Sequence, residues 1–138
     1  MILDRDGVLN AERDAGGCID DWTQWRWIAG ALQALQRLHR METKVSIVTN
    51  QSGVGRGRTT RARVDALHVR LVAEVARQGG GIDAVLVCPH APEDGCKCRK
   101  PAPGLVLQAV ARSGIRAEAT VLVGDDLRDL DAAAAAGV

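Results

Sequence analysis

The chain has 138 residues, 46% of them hydrophobic and 25% charged, with a formal net charge of +1. That length suits a single domain over residues 1–138 with its own core, and the near-neutral balance gives no electrostatic reason for nucleic acid or an anionic membrane as partner. No run approaches the roughly 18 apolar residues of a membrane span and no charged-then-apolar leader opens the chain, so a cytoplasmic protein is the expectation, and a monomer is expected alongside it.

In chain order, Met1-Ile2-Leu3 is a short apolar run that meets "DRDG". A helix is expected near 30–41, where Leu32, Leu35 and Leu38 share a face. The β-branched run "KVSIVTN" (44–50) follows, then a longer helix with Val64, Leu67, Leu71 and Val75 on one side. Thr59 or Thr60 can cap that helix, and Gly79-Gly80-Gly81 stops it. "AVLVCPH" (84–90) is a third strand. Leu105, Val106, Ala109 and Val110 mark a helix that Ser113-Gly114 ends. "ATVLVGDD" (119–126) is a fourth strand, and the alanines of 132–136 form a fourth helix. Such alternation predicts an α/β fold with a parallel sheet flanked by helices. All four strands run into polar or metal-binding residue types: Asp4 and Asp6, Thr49 and Asn50, Cys88 and His90, Asp125 and Asp126. The carboxyl edge of an open parallel sheet is where ligands bind, so these groups are expected in one site.

In "LDRDGVLN" (3–10) the two aspartates are two residues apart and can face the same way. Carboxylates that close repel, and a divalent cation relieves them. With Mg²⁺ bound, Asp4 can attack phosphorus and Asp6 can act as acid and then base. A plain Asp-Gly turn would use the same residues. Asp125 of "VGDDLRD" can complete a Mg²⁺ shell with Asp4 and the backbone carbonyl of Asp6. Asp126 and Asp129 also read as ordinary acidic groups at a helix start. "TNQSGVGRG" (49–57) offers Thr49, Asn50, Gln51 and Ser52 as donors to phosphate oxygens, or simply connects strand to helix.

Cys88, His90, Cys96 and Cys98 supply three thiolates and an imidazole in one loop. This is a complete tetrahedral set for structural Zn²⁺, with no position left for water. A redox pair is the alternative, although C-x-x-C is absent. Arg99 and Lys100 follow directly, either as solvated charges or as groups that grip the substrate and neutralise a phosphoryl group near Asp4. Trp22, Trp25 and Trp27 pack on the sheet or cover the site entrance, with the core the expected place for Trp27. Arg56, Arg58, Arg61 and Arg63 read as a solvated helix start, and nothing marks His39 or His68 as catalytic.

Taken together, "LDRDGVLN", "TNQSGVGRG", "CPHAPEDGCKCRKPAPG" and "VGDDLRDLDAAAAAG" resemble the haloacid dehalogenase superfamily of aspartate-nucleophile phosphatases, in that family's order and over nearly the whole chain. The metal-type loop joined to "CRKP" is similar to the branch holding heptose bisphosphate and histidinol-phosphate phosphatases. The resemblance implies a Rossmann-like fold without a large cap and with incomplete termini. It makes Asp4 the nucleophile and Asp6 the acid/base. Thr49 and Lys100 become phosphoryl-stabilising, while Asn50, Gln51, Ser52, Arg99, Asp126 and the loop before Cys18 bind substrate. Mg²⁺ falls to Asp4, Asp6 and Asp125, and Zn²⁺ to Cys88, His90, Cys96 and Cys98. The expected substrate is a small sugar phosphate, D-glycero-D-manno-heptose 1,7-bisphosphate cleaved at the 7-position. Histidinol phosphate is the alternative, and a zinc-stapled binding module without turnover is the alternative of another class. In its departures, the chain has Asp126 where heptose enzymes often carry lysine, and the spacing between His90 and Cys96 is short.

Overall fold

A computed structural model describes residues 1–11 and 17–138. Four parallel strands form one sheet: β1 (Ile2–Leu3), β2 (Ser46–Asn50), β3 (Ala84–Cys88) and β4 (Leu122–Val123), in the order β3-β2-β1-β4. Among the described residues, five α-helices accompany them: α1 (Ala31–Arg40), α2 (Ser52–Gly55), α3 (Arg61–Arg77), α4 (Gly104–Ser113) and α5 (Leu127–Ala136).

Strand alternation sends neighbouring side chains into opposite layers. Leu3 and Ile47 pack with Leu35 of α1 and with Leu67, Leu71 and Val75 of α3. Ile2 and Val48 pack on the other face with Val106 and Ala109 of α4 and Ala132 and Ala136 of α5. The apolar runs read from the sequence are therefore sandwiched between helices, as a parallel sheet requires.

The strand order reverses at β1. From there the chain steps outward to β2 and β3, then returns to place β4 on β1's other side. Ligands of open α/β sheets bind at such a switch point, beyond the strands' carboxyl ends. Asp4 follows β1 and Asp125 follows β4 there.

Several boundaries differ from the sequence reading. The fourth strand is two residues long, and α5 starts at Leu127 rather than among the alanines. Asp126 makes that earlier start by accepting the Arg128 N–H at 2.8 Å, while the Asp129 carboxylate accepts the Asp126 N–H at 3.2 Å. For α3 the cap is Thr60, which accepts the Arg63 N–H. Thr59 instead donates its hydroxyl to Asp20. Trp25 is the most buried tryptophan, stacked on Trp22 and edge-on to Trp27, and both of these pack against the core. The arginines that open α3 are exposed and paired outward, Arg61 to Asp65 and Arg63 to Asp20. Among the described residues, no helix is long and apolar enough to cross a membrane.

Candidate active site

Lys100 is the centre of the carboxyl edge. Its ammonium is 3% exposed and lies 2.9 Å from Asp4 Oδ1 and 2.5 Å from Asp129 Oδ1, and it donates to the Val48 carbonyl at 3.0 Å. A buried cation needs such partners, because desolvation would otherwise neutralise it. Asn50 fixes the lysine's backbone from two sides, donating to the Lys100 carbonyl at 3.0 Å and accepting its N–H at 3.1 Å.

Asp4 Oδ1 also accepts the Arg5 N–H at 2.7 Å. Both bonds fall on one oxygen, so Oδ2 keeps its lone pairs among the described residues. Burial raises the Asp4 carboxyl to about 6, against the pull of Lys100. Carboxylate oxygens of Asp4, Asp125 and Asp129 lie within 4.8 Å of one another. Three carboxylates facing one ammonium leave a net negative charge that a divalent cation can balance with oxygen ligands. The crowding is enforced by glycine. A Cβ at Gly7, where φ is +79°, would collide with the Asp125 carboxylate, and one at Gly124 would collide with that of Asp129.

Asp6 is held differently. Its carboxylate accepts from Arg5, Asn10 and Gln51, and Gln51 also donates to the Thr49 hydroxyl at 2.9 Å. The gathered metal-type carboxylates are thus Asp4, Asp125 and Asp129, while the Asp6 side chain is engaged by these donors.

A cleft of about 290 Å³ opens over these groups. Of the residues singled out in the sequence, Asp4, Asp6, Thr49, Asn50, Gln51, Ser52, Arg99, Lys100 and Asp126 line it. Gly17, Cys18 and Ile19 line it too, whereas residues 12–16 of the loop before Cys18 lie outside the described residues. The Asp126 charge is not free: Arg128 grips it through Nε at 2.8 Å and Nη2 at 2.7 Å, holding its carboxyl well below the usual range.

Sequence reasoning missed Arg5, Asp129 as the lysine's partner, Arg128 and His68. Asp126 and Asp129 did read as acidic groups at a helix start, but nothing in that pattern could show that Asp129 is buried against a lysine 29 residues away. His68, on α3, places Nε2 3.1 Å from Arg5 Nη1, and its Nδ1 meets no partner among the described residues.

Burial, helped by the Arg5 charge, pushes the His68 imidazole down from 6.5 to about 4. Because the folded protein binds this proton less well than the unfolded chain, the group's stabilisation is complete above about pH 6.5 and is lost as pH falls toward 4. Between pH 7.5 and pH 5 the wild type should therefore lose about 2 kcal/mol more unfolding free energy than His68→Gln, which does not titrate. Urea unfolding of both proteins across that range is the check. Parallel curves would mean that the imidazole is not held neutral.

The ligand atoms of Cys88, His90, Cys96 and Cys98 also lie within 4.8 Å of one another. Cys98 Sγ is 3.4 Å from the sulfurs of both Cys88 and Cys96 and 3.3 Å from His90 Nδ1. Tetrahedral zinc with thiolate bonds near 2.3 Å has ligand–ligand edges of about 3.8 Å, so the set is of the right size for one ion. Burial pushes the Cys88 thiol up to about 12, and a bound cation is what would hold it as thiolate. Arg99 reaches back to this loop, donating to the His90 carbonyl at 3.4 Å.

At the switch point of this parallel sheet, aspartates gather around a buried lysine. The family model for haloacid dehalogenase-like hydrolases matches residues 2–137, and the chain belongs to that family. It is 43% identical over 137 residues to a D-glycero-beta-D-manno-heptose-1,7-bisphosphate 7-phosphatase of Bordetella bronchiseptica, covering 99% of this chain and 75% of that protein. A D-glycero-alpha-D-manno-heptose-1,7-bisphosphate 7-phosphatase of Mycobacterium tuberculosis is 40% identical, covering 99% of this chain and 74% of the relative. Among solved structures, the D,D-heptose 1,7-bisphosphate phosphatase of B. bronchiseptica complexed with magnesium and phosphate superposes with a TM-score of 0.92 at 43% identity. That match covers 99% of this chain and 75% of the other.

Proposed function

We propose that this protein is a Mg²⁺-dependent phosphatase that removes the 7-phosphate of D-glycero-D-manno-heptose 1,7-bisphosphate. The observation that carries the chemistry is Lys100, buried between Asp4 and Asp129 at the floor of a cleft that Asp6 also lines. The substrate follows from the names of the relatives.

Asp4 attacks phosphorus through a carboxylate oxygen, and the bond from phosphorus to the sugar oxygen breaks. Asp6 gives that leaving oxygen its proton. Water then attacks the aspartyl-phosphate, Asp6 takes a proton from it, and inorganic phosphate leaves with the Asp4 carboxylate restored. Lys100 offsets charge on the phosphoryl oxygens, while Thr49 and the donors of the following loop orient them. Asp4, Asp125 and the Asp6 backbone carbonyl would hold Mg²⁺, which would supply charge neutralisation among the carboxylates and at the transferring group. Arg99 and Arg128 at the cleft wall are the cations available to the second phosphate.

The four-ligand loop is proposed to hold one structural zinc that braces Arg99 and Lys100. Ligation by reduced thiols suits a cytoplasmic protein, and a monomer completes the reading. A phosphate-release panel of both heptose bisphosphate anomers and histidinol phosphate tests the substrate. At least one heptose anomer should show the highest kcat/KM by roughly tenfold or more, the discrimination a few well-placed polar contacts supply. Faster turnover of histidinol phosphate would reassign the substrate, and no release from any ester would end the phosphatase reading.

A further inference from the structure

Between the two aspartates of "DRDG" sits an arginine with no exposed surface. In the turn just beyond β1, Arg5 enters the interior and reaches His68 of α3. Its guanidinium then folds back onto the next residue. Nε donates to Asp6 Oδ1 at 3.1 Å, and Nη2 donates to Oδ1 at 2.8 Å and Oδ2 at 2.9 Å. Nη2 also reaches the Ile19 carbonyl at 3.2 Å. The remaining terminal nitrogen, Nη1, meets His68 Nε2 at 3.1 Å. Arginine can only donate, so this imidazole nitrogen accepts and the ring's single proton is on Nδ1.

Burying a guanidinium and a neutral histidine with an unmatched Nδ1 is costly. What the arrangement achieves is the orientation of one carboxylate. Asp6 Oδ1 accepts from Arg5 Nε, from Arg5 Nη2 and from Asn10 Nδ2 at 2.8 Å, and is fully subscribed. Oδ2 accepts from the shared Nη2 and from the Gln51 amide at 2.8 Å. Gln51 belongs to the loop that lines the cleft, so Oδ2 is the oxygen bordered by a group that substrate can displace.

The geometry points to Arg5, braced by His68, as a positioning residue that aims Asp6 and leaves Oδ2 as the oxygen that carries the proton to and from the leaving group. The inference rests on the phosphatase reading above, in which Asp6 is the acid/base. A lysine could supply the charge but not the fork that fixes carboxylate rotation.

The test separates proton delivery from the rest of catalysis. A sugar phosphate needs its leaving alkoxide protonated, whereas 4-nitrophenyl phosphate releases a stable phenolate without help. Arg5→Lys should lower single-turnover cleavage of the sugar phosphate by about 100-fold, within the usual range for general acid–base assistance. KM should move little, and the first release of 4-nitrophenolate should stay within about threefold of wild type. Asp6→Asn should show the same contrast between substrates. His68→Leu should reproduce the contrast more weakly, and His68→Gln, which restores an acceptor for Nη1, should recover most of the loss. Because His68 is outside the cleft, its variants keep the test decisive should Arg5→Lys fold poorly in thermal unfolding. Equal losses on both substrates, or no loss in any variant, would overturn the positioning role. Absence of turnover by the wild type would instead defeat the phosphatase reading.

Discussion

Asp4→Asn is expected to abolish phosphate release, by roughly 10⁴-fold or more, while leaving the fold intact. The amide has the shape of the carboxylate and can still receive the Lys100 ammonium and the Arg5 N–H, which sit 2.9 and 2.7 Å from Oδ1. Lys100 retains Asp129 and the Val48 carbonyl, so it is not stranded as an unpaired buried charge. What disappears is the nucleophile and one of three carboxylates packed within 4.8 Å. Removing that charge relieves repulsion, so the variant's melting temperature without divalent cation should equal or exceed that of the wild type. Added Mg²⁺ should then raise the melting temperature of the wild type more than that of the variant, since ligand binding stabilises only the state that binds it. Calorimetry and single-turnover phosphate release on the same samples decide the matter. Residual turnover within tenfold of wild type would remove Asp4 from the nucleophile's place, and a collapsed melting temperature would mean that its role is structural.

The carboxyl edge was legible because each β-branched run ended in chemically distinctive residues. Ile47 and Val48 could only be strand interior, and the polar residues after them had to emerge at the same side of a parallel sheet. Asp4 and Thr49 were singled out in this way, and Lys100 from its place directly after the four-ligand loop. Arg5 was not, because a charged residue in a loop is ordinarily solvated and alternation alone does not reveal a buried partner on α3. Asp129 shows the same limit from the other direction. Its place in a capping box is a local fact that sequence carries, whereas its pairing with Lys100 depends on how α5 docks on the sheet. Placing the start of α5 at the alanines was an error of composition: five alanines stood out, and the capping aspartate six residues before the first of them outweighs them.

Cys96→Ser should strip the proposed zinc and lower the melting temperature by roughly 10 °C, the scale expected when a metal clip worth several kcal/mol is lost from a domain of this size. Cys96 Sγ is 3.6 Å from that of Cys88 and 3.4 Å from that of Cys98, so the substitution removes one corner of the set. The consequence extends to the active site through two residues. Cys98 is followed by Arg99, tied to the His90 carbonyl, and then by Lys100. With the loop unbraced, Asn50 still clasps the Lys100 backbone, so kcat should fall without vanishing, in contrast to the loss in Asp4→Asn. Metal analysis should give about one zinc per wild-type chain and none in the variant. A strong chelator should bring the wild type down to the variant's melting temperature and leave the variant unchanged. A wild type that carries no zinc, or a variant that melts with it, would separate the loop from any metal and leave Lys100 positioned by Asn50 and Asp129 alone.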